Sequence, residues 1–225
     1  MMENKQQQKA FLFDLDGTMV DNMKYHGEAW FDILNDDLGA GLSKAEVKKE
    51  MYGKNPEVFE RIFGKGKLTP EEMDKYAMKK EQDYQERFRP HLKLIDGLDD
   101  FLKKAKVQQI KLAIASAAIP FNIDFVLDNL KVRHYFDAVI SANDVDKSKP
   151  HPETFLKAAQ ALGVKPEDCI VFEDAPKGAE AAKNAGMKCV ALTTAHEKED
   201  FEVQDHVLFF VKDYRDGRVL GLVKK

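Results

Sequence analysis

The chain has 225 residues, a formal net charge of −4 and a hydrophobic fraction of 44%. That is enough apolar material for one large domain, or for a core domain carrying a smaller inserted one. The slight acidity offers no basic surface to nucleic acid and no charged stripe to a membrane, and no apolar run is long enough to cross a bilayer.

The N-terminal MMENKQQQK is polar, lacks the apolar middle of a secretory signal and reads as a short frayed tail. KAFLF (9–13) is the first of six apolar runs rich in strand formers. Residues 20–90 hold charged amphipathic helical segments and no convincing strand. One runs from Asn22 to Leu38. A second follows Ser43, with Glu46 three residues on as a capping-box pair. A third starts at Pro56. The longest follows Thr69-Pro70-Glu71-Glu72, a strong helix-start signal, and continues to about Phe88. FGKGKLT, between the last two, looks like a phosphate loop but has neither its spacing nor a preceding strand, and is set aside.

Strand and helix alternate from about residue 97 to 194. Leu98, Phe101, Leu102 and Ala105 form a helical stripe, and IKLAIAS (110–116) a strand. Pro120 opens a helix whose stripe reads Phe121, Phe125, Val126 and Leu130. AVISA (138–142) is a strand, followed by a stripe of Phe155, Leu156, Ala159 and Leu162. CIVFE (169–173) precedes an alanine-rich helix, Ala175 to Ala185, closed by Gly186. KCVALTT (188–194) and VLFFV (207–211) complete the strands. HEKEDFEVQDH (196–206) reads as a solvated loop with a short helix. Continuous apolar strands suit a sheet covered on both faces. The alternation predicts parallel strands joined by right-handed crossovers, hence an α/β fold with an open, parallel, Rossmann-like sheet. The all-helical segment 20–90 is inserted after the first strand, leaving 1–19 and 91–225 as the core. The two cysteines, Cys169 and Cys189, lie in apolar runs and read as buried free thiols of a reducing compartment, which fits a cytoplasmic enzyme.

In an open α/β sheet, ligands bind beyond the carboxyl ends of the strands. Polar residues stand at each of those ends. Asp14 and Asp16 follow the first strand, Ser116 follows IKLAIA, and Glu173 and Asp174 follow CIVF. Lys149, in SKPHPE, lies between a strand and a helix. Four carboxylates, one lysine and one hydroxyl should therefore converge on one rim. The acids would repel one another strongly unless a hard divalent cation sat among them, and oxygen-only ligands suit Mg²⁺. A phosphate bridging the cation would complete the charge balance, with Lys149 as its positive partner. One carboxylate can then attack phosphorus, while a second protonates the leaving oxygen and later deprotonates water or an alcohol. Each residue has a plainer reading: a turn pair for Asp14 and Asp16, a strand end for Ser116, a solvated loop lysine for Lys149, a helix cap for Glu173 and Asp174. Their joint occurrence argues for the chemical one.

FDLDGT, Ser116 in IASAA, Lys149 in SKPHPE and Glu173-Asp174 in VFEDAPKG, in that order, resemble the haloacid dehalogenase superfamily. More narrowly, they resemble the branch containing β-phosphoglucomutase and small-metabolite phosphatases. The resemblance covers most of the chain and implies that 20–90 is a helical cap domain. It implies Asp14 as nucleophile, Asp16 as general acid and base, and Mg²⁺ held by Asp14, the Asp16 backbone carbonyl, Glu173 and Asp174. It also implies that Ser116 and the Ala117 N–H hold the phosphoryl oxygens and that Lys149 offsets charge. In the cap, His26 and Trp30 lie four apart and so share a helix face; they resemble a His and Trp of the mutase branch, with packing of an aromatic stripe as the alternative. Lys54 and Asn55 belong to a cap loop that can line the site. Lys80 is a candidate substrate contact, although a solvated helix lysine accords better with how lysine distributes.

One departure bears on the reaction. Pro56 stands where the mutase carries an arginine for its substrate's second phosphate, and losing that fork favours hydrolysis over isomerisation. The expectation is a Mg²⁺-dependent phosphohydrolase of a small phosphorylated metabolite, a sugar phosphate or similar, with pyrophosphate also conceivable. β-Phosphoglucomutase activity is the alternative, and a non-catalytic, receiver-like phosphate-binding module is the alternative of another class. Dehalogenation at carbon would need neither Asp16 nor the metal pocket, and a phosphonate hydrolase would want a different residue at Asp16. No nucleic-acid or membrane partner is expected, and a monomer is.

Overall fold

The computed structural model describes residues 10–202 and 205–224; the polar tail lies outside them. All six expected strands form: β1 (Ala10–Phe13), β2 (Lys111–Ala115), β3 (Ala138–Ile140), β4 (Cys169–Glu173), β5 (Lys188–Leu192) and β6 (Val207–Val211). They make one sheet in the order β3-β2-β1-β4-β5-β6, parallel throughout. Chain order reverses at β1, which lies between β2 and β4. That is the topological switch point at which open α/β sheets bind ligands.

The central strands are buried on both faces, and their side chains are apolar at every position except Glu173 at the end of β4. Phe11 and Phe13 of β1 point to an aromatic layer with Phe101, Phe172 and Tyr214; the Phe13 and Phe172 rings stack at 4.7 Å. Ala10 and Leu12 face the other way, into an aliphatic layer with Val171, Phe155, Ala159 and Ala182. Cys169 and Cys189 are buried free thiols, and burial pushes the Cys169 thiol up to about 12.

Helices α1 (Met23–Asp32), α2 (Lys44–Glu50), α3 (Asn55–Phe63) and α4 (Pro70–Phe88) follow β1. The capping boxes of α2 (Ser43 with Glu46) and α4 (Thr69 with Glu72) are both formed. The stretch read as helical from Asn22 to Leu38 is α1 continued by a π-helical turn, Ile33–Asp37. Asn35 secures its end, accepting from the Leu42 N–H at 2.6 Å and donating to the Phe31 and Leu42 carbonyls. FGKGKLT is the connection between α3 and α4.

The remaining helices are α5 (Leu98–Val107), α6 (Pro120–Asn129), α7 (Glu153–Leu162), α8 (Pro176–Asn184) and α9 (Gly217–Gly221). Two stripes differ from the sequence pattern. Phe121 and Leu156 are exposed, and Asn122 and Thr154 are buried beside the expected apolar positions. Position around the helix accounts for both: Phe121 lies outside the arc of Asn122, Ile123, Val126 and Leu127, and Leu156 lies at the edge of the arc of Phe155, Ala158, Ala159 and Leu162. Among the described residues of the charged run 196–206, Lys198–Asp200 form a 3₁₀ turn, and Phe201 is a core residue that packs on Phe210.

The chain divides into two compact units, Met1–Asp21 with Lys93–Lys225, and Asn22–Leu92. The two segments of the first unit that flank the second are bonded to each other, Ile95 N–H to the Met19 carbonyl at 2.8 Å. Unit 2 has its own apolar core, including Trp30, Ile33, Leu34, Val47, Val58 and Phe59. Among the described residues, no helix is long and apolar enough to cross a membrane.

Candidate active site

The register that pairs Phe13 with Phe172 sets Asp14 beside Glu173, and the Asp14 N–H continues the ladder to the Phe172 carbonyl at 3.0 Å. Asp14, Glu173 and Asp174 place carboxylate oxygens within 4.8 Å of one another, all three residues buried. Lys149 reaches in from the connection between β3 and α7. Its ammonium donates to Asp14 Oδ1 and to Glu173 Oε1, each at 2.7 Å, and its side chain is only 9% exposed. The plainer reading of Lys149 as a solvated loop residue is therefore overturned: two buried acids draw it inward.

Glu173 Oε2 accepts the N–H groups of Asp174 and Ala175, each at 2.8 Å. The carboxylate meeting backbone donors ahead of α8 is thus Glu173. Asp174, whose plainer reading is a helix cap, makes no such bond; its Oδ1 accepts from the Thr18 hydroxyl at 3.2 Å. Two glycines make room for these acids. At Gly17 (φ +73°) a Cβ would run into the Asp174 carboxylate, and at Gly178 one would run into the Glu173 carboxylate.

Burial raises the Asp14 carboxyl, Lys149 pulls it back, and Glu173 and Asp16 push it up again, to about 7. Burial, then Glu173 and Asp14, hold Asp174 well above the usual carboxylate range. Burial lowers Lys149, but Asp14 and Glu173 outweigh it and keep the ammonium above the ordinary lysine range. Three crowded acids with one cation are short of positive charge, and their donors are all hard oxygens. That set fits a divalent cation such as Mg²⁺.

Asp16 is half-buried, and its side chain is not part of the three-acid cluster. Ser116 is buried at the end of β2; its N–H bonds the Ile140 carbonyl at 3.0 Å and its Oγ accepts from the Ala118 N–H at 3.1 Å. Ala117, between them, is half-buried.

The sequence reading did not single out Thr194, His196 or Tyr214. The Thr194 hydroxyl donates to the Gly17 carbonyl at 2.5 Å, and the Tyr214 hydroxyl to the Thr18 carbonyl at 3.0 Å. His196 Nδ1 lies 3.2 Å from the Asp174 carbonyl. Thr194 ends an apolar run, as Ser116 does, and that position was its only signal.

Within the second unit, His26 stacks on Tyr84 at 3.7 Å, and its Nδ1 accepts from Lys80 Nζ at 2.9 Å. Lys80 is buried rather than solvated, paired with Glu81 at 3.0 Å and 5.0 Å from the Trp30 ring. Asn55 donates to the other Glu81 oxygen at 2.7 Å. Three candidate cap residues, His26, Asn55 and Lys80, are thus gathered around an acid the sequence reading passed over. Trp30 packs edge-on against Phe59 in the core of its unit, and Lys54 is the N-cap of α3.

Residues 11–192 match the model of the haloacid dehalogenase-like hydrolase family. The chain is 32% identical over 199 residues to a β-phosphoglucomutase of Bacillus subtilis, covering 82% of this chain and 83% of that one. It is 31% identical over 187 residues to the fructose-1-phosphate phosphatase YqaB of Escherichia coli, covering 80% and 94%. The crystal structure of a β-phosphoglucomutase from Clostridium difficile superposes with a TM-score of 0.82 at 26% identity, covering 96% of each chain. With the acids at the switch point of a parallel sheet, these likenesses leave no place for a non-catalytic, receiver-like module. The chain belongs to the haloacid dehalogenase-like hydrolase family and is a phosphatase or phosphotransferase of that type.

Proposed function

We propose that this enzyme hydrolyses a small phosphorylated metabolite, a sugar phosphate or similar, through an aspartyl-phosphate on Asp14. The observation that carries the reading is the position of Asp14: at the switch point, bonded to Lys149 and flanked by Glu173 and Asp174. A carboxylate so placed is a nucleophile whose charge is managed by its neighbours. Asp14 attacks phosphorus and the bond to the leaving oxygen breaks, with Asp16 giving that oxygen a proton. Asp16 then takes a proton from water as the water attacks the phosphoenzyme, releasing phosphate and restoring Asp14. Ser116 and the Ala117 N–H hold the phosphoryl oxygens, and Lys149 offsets the charge on nucleophile and phosphate. Mg²⁺ would be held by Asp14, the Asp16 carbonyl, Glu173 and Asp174, where it supplies charge stabilisation to the transferring group.

Residues 20–90, read as the cap, contribute His26, Lys54, Asn55 and Lys80 to substrate choice, with Trp30 supporting them. The fructose-1-phosphate phosphatase likeness supports a sugar phosphate substrate. The mutase likenesses support a second reading, isomerisation of a sugar phosphate. Pro56, near the start of α3, weighs against it, because it cannot clamp a second phosphate. A cytoplasmic monomer with both thiols reduced belongs to the same proposal.

The test assays purified protein with Mg²⁺ in two arms. One follows phosphate release from sugar phosphates, phosphoglycolate, nucleotides and pyrophosphate. The other follows glucose 6-phosphate formation from β-glucose 1-phosphate with a bisphosphate primer. Phosphate release without isomerisation is expected; isomerisation with little release would establish the mutase instead. Asp14→Asn should lower kcat by at least roughly 10³-fold with an unchanged circular dichroism spectrum, and near-native turnover in that variant would remove the covalent mechanism.

A further inference from the structure

We propose that Thr194 and Tyr214 are positioning residues for the acid and base step, their hydroxyls holding the segment that carries Asp16. The inference rests on the reading of Asp16 as general acid. The segment Leu15–Val20 is a tight turn closed on itself. The N–H groups of Thr18, Met19 and Val20 all return to the Leu15 carbonyl, at 3.4, 2.8 and 3.4 Å, and the Gly17 N–H bonds the Val20 carbonyl at 2.8 Å. That pattern leaves three successive carbonyls facing away from the turn, and each is taken from outside. Gly17 accepts from Thr194, Thr18 from Tyr214, and Met19 from the Ile95 N–H.

Two of these three donors are side-chain hydroxyls, brought from segments far along the chain. Thr194 follows β5 and Tyr214 follows β6. Tyr214 is wholly buried in the aromatic layer, where its ring is fixed against Phe13, Phe101 and Phe172. Its hydroxyl therefore aims from a rigid base. A hydrogen bond to a carbonyl orients the whole peptide plane, since the peptide unit is planar. The two planes on either side of Asp16 are held within the turn, at the Leu15 carbonyl and at the Gly17 N–H, and the outside donors on Gly17, Thr18 and Met19 fix that turn as a body. A loss of either donor loosens Asp16 against Asp14, and a misplaced acid loses rate without losing affinity.

The experiment compares kcat/KM for an alkyl phosphate, whose leaving oxygen needs a proton, and for p-nitrophenyl phosphate, whose leaving group does not. Wild type, Thr194→Val, Thr194→Ser, Tyr214→Phe and Asp16→Asn are measured. Thr194→Val should lose roughly tenfold or more on the alkyl ester and at most about twofold on the aryl ester, a fraction of what a general acid supplies. Thr194→Ser, which keeps the hydroxyl, should restore the alkyl rate. Equal losses on both esters would mean a structural role only and overturn the proposal, as would no loss on either. Tyr214→Phe repeats the test from the second donor; if it does not fold, the Thr194 pair decides alone. Asp16→Asn separates the two levels. Selectivity in Asp16→Asn but not in Thr194→Val overturns the positioning role alone. Equal loss on both esters in Asp16→Asn overturns the acid role and the proposal with it.

Discussion

Glu173 is held from several sides. One oxygen binds Lys149, the other binds two backbone N–H groups, and Gly178 leaves the space in which the carboxylate lies. A long flexible acid can usually step aside for a methyl group; this one cannot without giving up partners in a buried site. Gly178→Ala should therefore destabilise the fold by about 1–3 kcal/mol, the usual range for overpacking, and it should weaken Mg²⁺-dependent turnover. Thermal unfolding and a Mg²⁺ titration of activity check both parts; unchanged values in each would show that Glu173 moves freely. At this scale the sequence points to the three acids that the structure gathers, Asp14, Glu173 and Asp174, because they stand in dense motifs at strand ends. It does not announce their division of labour. The backbone donors to Glu173, from Asp174 and Ala175, follow it directly in the chain, but Lys149 comes from 24 residues away, and only the fold brings that ammonium to the same point.

Helices and strands were legible to different depths. Strands β1, β2, β4 and β5 have apolar neighbours on both faces, so apart from Lys111, Glu173 and Lys188 at strand ends their residues are apolar and the pattern is unambiguous. Helix α4 is legible at its start because Thr69 and Glu72 satisfy each other's backbone N–H groups. Thr69→Ala removes one of those acceptors and should cost about 1 kcal/mol. For a chain of this size that lowers Tm by about 2–4 °C, without changing kcat/KM; a loss of activity greater than the loss of folded protein would show that this helix end bears on the site. Lys80, on the same helix, was not legible. A lysine in KKEQDY looks solvated, and only the tertiary meeting of α1, α3 and α4 supplies His26, Asn55, Trp30 and Glu81 around it. The stripes of α6 and α7 keep the helical period but are turned to bury Asn122 and Thr154, because the neighbouring elements decide which arc is covered.

For the molecule as a whole, the acid cluster sets the response to pH and metal. The Asp14 carboxyl is raised from 3.8 to about 7 in the fold. The folded chain then holds a proton that the unfolded chain has already released. The stability this contributes is full below the unfolded value and is lost as pH rises through about 7. A divalent cation offsets the loss only where the carboxylates are ionised. Mg²⁺ should therefore raise Tm more at about pH 8 than at about pH 5.5, and chelation should reverse it. Asp174→Asn should abolish the increment. An equal increment at both pH values, or one surviving in that variant, would place the cation elsewhere. A different consequence follows from the hydrogen bond between Ile95 and Met19. The points where the chain leaves the sheet-bearing unit and returns to it are side by side, so the whole of 22–92 is, for the sheet, a single long excursion from one location. Such an excursion can be lengthened, exchanged or replaced by a short linker without rethreading any strand, at an entropic cost that changes only slowly with its length. A change of length within 22–92 thus leaves strand register untouched, and what the segment itself must keep is its own apolar core and the closeness of its ends.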